Sequence, residues 1–213
     1  MKKLFGFILS VLLTTVLSAQ TPQEIISRME TEMSNYEKSG VAMTVDVKIP
    51  ILGKMSTRTY TLGDKMRLEA AMMGVKLITW SDGVTEWTYN EKENEIEIQK
   101  AKENSESREE GDIGMFAGIT DGYDVSIDKE TSEAWYILCK KSKSNPDKDA
   151  PKKMDLVVAK GTYMPVSLQT KISSVNLTMR EISFDVTEDQ VTFNPKDYPD
   201  AKIVDKRNEQ PNK

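Results

Sequence analysis

The chain has 213 residues, a length typical of one domain, and carries 29 Lys and Arg against 34 Asp and Glu, for a formal net charge of −5. This acidic balance disfavours nucleic acid as a partner, because such binding relies on basic side chains that neutralise phosphates. The chain has no histidine, which excludes imidazole as a general base or metal ligand, and we expect neither a metal nor a cofactor.

The first nineteen residues have the pattern of a secretory signal peptide. Lys2 and Lys3 precede an apolar stretch from Leu4 to Leu17, and small residues before Gln20 offer a cleavage site. No cysteine stands at that site, so no lipid anchor is expected on the first mature residue. An uncleaved signal anchor is the alternative, but the stretch is shorter than the ~20 residues of a spanning helix. We therefore predict export, cleavage near Ala19 and a soluble monomer.

A helix is predicted at the start of the mature chain. Thr21-Pro22-Gln23-Glu24 has the form of a capping box with proline at the first helical position, and Lys38 and Gly40 offer an end for the helix. Spacings of four, four and three place its apolar residues on one face, namely Ile25, Met29, Met33 and Tyr36. This face needs a partner surface.

Alternation of apolar and polar residues follows, as in strands with one buried face. Val41 to Ile49 and Lys65 to Met72 show it clearly. Gly63-Asp64 and Ser81-Asp82-Gly83 have the residues that hairpin turns require. About a dozen short strands follow from such patterns. An antiparallel sheet of this size curls and encloses its apolar face as a trough or barrel interior, which helices then fill or roof.

Two later segments lack this alternation. Residues 100–111 are almost wholly charged and polar, which predicts a solvated loop. Asp112 to Ile119 is apolar and glycine-spaced, which favours brief helices. Met115 and Phe116 in this segment are predicted lid residues, because apolar side chains on a glycine-hinged segment can close over a cavity.

Methionine and aromatic residues give the predicted apolar face an adaptable lining. The flexible thioether of methionine fills irregular space; any single methionine fits an ordinary core better, and only the collective pattern favours a cavity. Which face of the Trp80 to Tyr89 hairpin turns inward is left open. The predicted lining residues of a cavity for acyl chains are Met43, Val45, Tyr60, Met66, Leu68, Trp80, Trp87, Leu177, Met179 and Phe184.

Catalytic chemistry has little support in the residues. Cys139 is the only cysteine, and its neighbours Ile137 and Leu138 favour a thiol buried in a strand over a reactive one. Asp82 and Glu86 form the best acidic pair, but a turn aspartate and a strand carboxylate explain them better. We expect a protein that is not an enzyme.

Three stretches resemble the LolA-like family of outer-membrane lipoprotein carriers. Residues 191–205 resemble the end of that family, with a phenylalanine strand, a proline turn, a Tyr-Pro pair and a final apolar strand. Residues 63–69 are similar to its strand with a Gly-Asp-Lys start and an Arg-Leu-Glu end. Residues 81–89 are similar to its hairpin with Asp-Gly followed by Trp-x-Tyr.

The resemblance implies a mainly β fold with helices: a curled, incomplete antiparallel barrel of about eleven strands, roofed by the N-terminal helix and short lid helices. It covers one domain at residues 20–206, followed by a polar tail at 207–213. It further implies a periplasmic carrier of acylated lipoproteins or lipids, with an inner-membrane donor complex and an outer-membrane acceptor. Arg58 or Arg67 would be the family's interior arginine that holds the lid.

One alternative uses the same fold differently. A lipid-sensing or scaffold module of the cell envelope would bind a protein partner through an exposed rim or a sheet edge. The residues leave both functions open.

Overall fold

The computed structural model describes residues 20–36, 38–50, 53–72, 74–101 and 118–208. The signal peptide, Met115 and Phe116 lie outside these residues. The elements of the described residues are α1 (Pro22–Ser34), β1 (Val41–Ile49), β2 (Gly53–Leu62), β3 (Lys65–Met72), β4 (Val75–Ser81), β5 (Thr85–Asn90), β6 (Glu95–Lys100), β7 (Tyr123–Glu130), β8 (Ala134–Lys141), β9 (Lys153–Ala159), β10 (Pro165–Ile172), β11 (Val175–Ser183), α2 (Glu188–Val191), a 3₁₀ turn (Pro195–Asp197) and β12 (Lys202–Asp205).

The strands within these ranges form one sheet in the order β12-β6-β5-β4-β3-β2-β1-β11-β10-β9-β8-β7. Every neighbouring pair is antiparallel except β12 and β6. The edge strands β12 and β7 do not pair with each other, so the sheet is unclosed. The predicted mainly β fold with an incomplete antiparallel barrel is confirmed, with twelve strands in the described residues instead of about eleven.

Helix α1 begins with the predicted capping box. The Glu24 backbone N–H donates to Thr21 Oγ1 at 3.2 Å, and the Thr21 N–H donates to Glu24 Oε2 at 2.8 Å. Ile25, Met29 and Met33 are buried, as is Ile26. The helix ends at Ser34, before the expected Lys38, so Tyr36 lies beyond it. None of the helices in the described ranges is long and apolar enough to cross a membrane.

The sheet wraps around α1. One buried cluster joins α1 to residues of β1 and of β7 to β11, including Met43, Ile137 and Leu168. β1 and β7 are five positions apart in the sheet, which is about 24 Å in a flat sheet, whereas a helix is only about 10 Å across. Both strands meet the same cluster because the sheet curves. The side that holds α1 is the inner face of this curve, and the opposite side is its outer face.

A bulge in β11 sets which side chains turn inward. Ala42 pairs with Ser183 and Thr44 with Arg180, so β11 has an extra residue opposite Met43. Glu181 in this bulge has a φ of 53°. The extra residue reverses the alternation, which places Phe184 in the inner cluster together with Met179.

The outer face has a second, aromatic core at the other half of the sheet. Residues 186–198, called the C-terminal segment below, lie against β2 to β5. Trp80 contacts Phe193 and Tyr198 with ring centroids 5.4 and 5.7 Å apart, and Trp87 stacks on Phe193 at 5.4 Å. The two halves of the sheet are therefore covered on opposite faces.

Removal of a buried methionine from α1 should destabilise the protein strongly. Met29 is fully buried, and Met29→Ala should lower the free energy of unfolding by about 2–5 kcal/mol, since it removes apolar contacts and leaves a cavity. Met55→Ala is the control, because Met55 is 39% exposed. Urea denaturation measures both variants. Equal losses of unfolding free energy in the two variants would mean that Met29 is not packed in the buried cluster on the inner face.

Cys139 should be inert until the protein unfolds. Its side chain is fully buried in the inner cluster, and burial raises the pKa of the thiol to about 11. The thiolate is the reactive form, so an alkylating reagent near neutral pH should modify the protein only in denaturant. Mass spectrometry after timed exposure measures this. Rapid modification of the folded protein would contradict the buried placement.

Candidate functional site

The inner face differs in coverage between its two halves. In the half under α1, Ile137 and Leu156 are each 1% exposed. In the other half, Leu68 and Leu77 are only half-buried. Apolar side chains that stay accessible on a shaped surface are characteristic of a binding site rather than of a packed core.

Pairing between strands shows which side chains share this face, because residues directly opposite each other in a ladder point to the same side. Three rows cross from β1 to β6: Val41, Thr61, Met66, Ser81, Glu86 and Gln99; Met43, Thr59, Leu68, Thr79, Thr88 and Glu97; and Val45, Thr57, Ala70, Leu77, Asn90 and Glu95. Met43 and Val45 belong to the α1 cluster, so all three rows lie on the inner face. The residues of these rows on β2, β3 and β4 form what is called the trough below.

The hydroxyls of Thr59, Thr61 and Thr79 in the trough are engaged within the sheet. Thr59 Oγ1 donates to the Met43 carbonyl at 3.3 Å, and Thr61 Oγ1 donates to the Val41 carbonyl at 3.2 Å. The hydroxyls of Thr79 and Thr88 bond to each other at 3.2 Å. An apolar ligand would therefore cover no unpaired hydroxyl at these positions, which removes a large desolvation cost.

Seven of the ten predicted lining residues lie on the inner face. Met66 and Leu68 are part of the trough. Met43, Val45, Leu177 and Met179 lie beside it on β1 and β11, since Val45 pairs with Met179 and Val47 with Leu177. Phe184 lies further away, near the end of α1, where its ring is 6.0 Å from that of Tyr36.

Tyr60, Trp80 and Trp87 lie on the outer face, which corrects their predicted place in the lining. Tyr60 pairs with Arg67, Arg67 with Trp80, and Trp80 with Trp87. Strict alternation turns this row away from Leu68, and the C-terminal segment then covers it. The aromatic residues Phe193 and Tyr198 were the sequence signal for this second core, because they need an apolar surface to pack on.

Arg58 and Arg67 also lie on the outer face, so neither is an arginine of the interior. Arg58 Nη1 donates to the Glu181 carbonyl oxygen at 2.7 Å. Arg67 forms an ion pair with Glu69 at 2.7 Å and lies over the rings of Tyr60 and Trp80, 5.6 and 5.5 Å from their centroids. Both guanidinium groups therefore make their contacts on the outer side of the sheet.

Asp82 and Glu86 have structural partners. The Asp82 carboxylate accepts the backbone N–H groups of Val84 and Thr85 at 2.9 and 2.7 Å, as expected for a turn aspartate. Glu86 accepts a hydrogen bond from the Gln99 amide across the strands. Within the described ranges, no three acidic or cysteine side chains are grouped as a metal site.

No protein-family model matches the chain, and no curated protein matches it. Similar solved structures include an uncharacterized conserved protein from Thermus thermophilus, 19% identical over 86% of this chain and 98% of that chain, with a TM-score of 0.42. A LolA superfamily protein from Nitrosomonas europaea is 9% identical over 84% of this chain and 100% of that chain, with a TM-score of 0.33. The Pseudomonas aeruginosa MucA/MucB complex matches at 10% identity over 81% of this chain and 61% of that chain, with a TM-score of 0.41. These are likenesses of fold alone.

Stability should fall in acid through Asp46 on the outer face. Arg180 Nε donates to Asp46 Oδ2 at 2.8 Å, and Lys54 Nζ lies 3.0 Å from the same oxygen. Arg180 above all holds the pKa of this carboxyl well below its usual range. A lowered folded pKa gives stabilisation that is present above the unfolded pKa of about 4 and is lost as pH falls through the folded pKa.

Asp46→Asn should therefore lower the melting temperature at neutral pH and flatten its decline in acid. Asp128→Asn is the control, since Asp128 is exposed on the edge strand β7. Thermal unfolding between about pH 2 and pH 7, a window chosen to span the usual carboxyl range, measures both variants. An unchanged acid profile in Asp46→Asn would show that this ion pair does not contribute.

Proposed function

We propose that the protein is an exported, non-catalytic carrier that binds acyl chains of lipids or lipoproteins in the trough. The observation that carries this proposal is the half-buried apolar surface of Met66, Leu68 and Leu77, flanked by threonines whose hydroxyls are bonded within the sheet. Such a surface suits a chain of methylene groups, which has no hydrogen bonds to offer.

The expected energy of such binding is sufficient for a carrier. Each buried methylene contributes about 0.8 kcal/mol, so partial enclosure of one chain already gives useful affinity. Release requires a competing site, because non-covalent binding leaves direction to the relative affinities of donor and acceptor. We propose transit through the periplasm from an inner-membrane donor to an outer-membrane acceptor, with acylated lipoprotein as cargo.

A charge in the trough should weaken acyl binding strongly, while the same charge one residue away should not. Ala70 and Ala71 are consecutive in β3 and point to opposite faces, since Ala70 pairs with Leu77 and Ala71 with Lys76. Ala70→Glu places a carboxylate among apolar side chains, where an acyl chain would strip it of water. Ala71→Glu places it on the exposed outer face beside Lys76.

Binding of an environment-sensitive apolar dye measures the effect, with displacement by an acylated peptide and by its deacylated form. We expect the unsubstituted protein and Ala71→Glu to bind the dye and to release it only to the acylated peptide. Ala70→Glu should lose dye affinity by about tenfold or more, as one buried unpaired charge costs over about 1.4 kcal/mol. Thermal unfolding confirms that both variants fold.

Saturable dye binding that is equal in the two variants would place the ligand elsewhere. Absence of saturable binding in the unsubstituted protein would remove the carrier proposal. The alternative of a module that binds a protein partner would then stand, through a sheet edge such as β7, which has one neighbouring strand among the described residues.

A further inference from the structure

We infer that an amphiphile lies across the strands of the trough, with its polar group against β5 and β6 and the end of its chain towards β1 and β11. This inference rests on the proposed function and adds the direction of the ligand and the residues that set it. It follows from the order of polarity along the three rows of the inner face.

Each row changes from apolar to polar in the same direction. The row that contains Val45 continues on its other side through Met179 and Leu168 into the core under α1. From Val45 it passes Thr57, Ala70 and Leu77 and reaches Asn90 and Glu95. The other two rows end on Glu97 and Gln99. All three rows are therefore polar where they reach β6.

Acidic side chains at the polar end of the rows have lysine partners. Lys202 Nζ lies 2.7 Å from Glu95 Oε2, and Lys206 Nζ lies 2.6 Å from Glu97 Oε2. Paired charges and amide groups remain hydrated at a surface and can exchange hydrogen bonds with a polar ligand group. An alkyl chain placed there would lose the apolar contacts available on β2 to β4.

The distances fit a ligand that crosses the strands. From β1 to β5 is four strand spacings, or about 19 Å. A chain that runs along a row contacts one side chain from each strand, alternately bulky and small: Thr59, Leu68 and Thr79 in the central row. A chain that ran along β3 would instead meet Met66, Leu68 and Ala70 and would find no polar group at either end. A ligand that crosses the strands places its polar group on the polar residues of β5 and β6 and the end of its chain on the apolar residues near β1.

Cysteine placed at either end of one row can report the direction. Thr59→Cys and Thr88→Cys are matched, because both positions are half-buried threonines of the central row and lie three strand spacings, about 14 Å, apart. The native Cys139 is fully buried and gives little background. Each variant is treated with a long alkyl chain that carries an iodoacetamide at its polar end, and with one that carries it at the far end of the chain.

Alkylation rates are measured by mass spectrometry and divided by the rate with iodoacetamide itself, which corrects for the intrinsic reactivity of each thiol. We expect the reagent with iodoacetamide at its polar end to favour Thr88→Cys over Thr59→Cys by about tenfold, because binding holds the reacting groups together. The reagent labelled at the far end should favour Thr59→Cys. Thr57→Cys and Asn90→Cys repeat the comparison on the neighbouring row if one variant fails to fold.

The outcomes separate the two claims. Acceleration by the alkyl chain with equal rates in both variants, or with the preference reversed, would overturn the direction and leave the proposed function intact. Rates no faster than with iodoacetamide itself, in every folded variant, would overturn the proposed function.

Discussion

The packing of one helix into a curled sheet is the constraint on which the rest of the structure depends. A helix about 10 Å across cannot cover the inner face of all the strands in the described residues, which span about 50 Å when counted at strand spacing. Helix α1 covers the half formed by β1 and β7 to β11. The remaining half needs a core from another source, and it has one on the outer face, where the C-terminal segment packs its aromatic rings against Trp80 and Trp87.

This division explains how an accessible apolar surface can persist in a stable protein. The strands β2 to β5 gain their stabilisation from the outer side, so their inner side chains do not have to be buried for the fold to form. Leu68 and Leu77 can then remain half-buried beside threonines that are bonded within the sheet. The proposed binding surface is therefore supported from behind by the aromatic core on the outer face.

Much of the fold follows from local patterns in the chain. The capping box at Thr21 and the spacing of Ile25, Met29 and Met33 define α1, and alternation defines most strands, because both signals depend only on near neighbours. Alternation divides the residues of a strand into two sets, but it does not say which set turns inward. That is why the predicted lining residues divide between the faces: Met66 and Leu68 lie on the inner face, whereas the equally apolar Trp80, Trp87 and Tyr60 lie on the outer face.

The sequence by itself determined the amphipathic N-terminal helix, the one-layer antiparallel sheet and the lack of imidazole chemistry. The tertiary structure decided the face on which each apolar row is used, because that depends on what packs against it from far along the chain. Phe193 and Tyr198 assign the tryptophan row to the outer core, and α1 assigns the row of Met43 to the inner one. Alternation is a local property with two equivalent solutions, and contacts between distant segments select one of them.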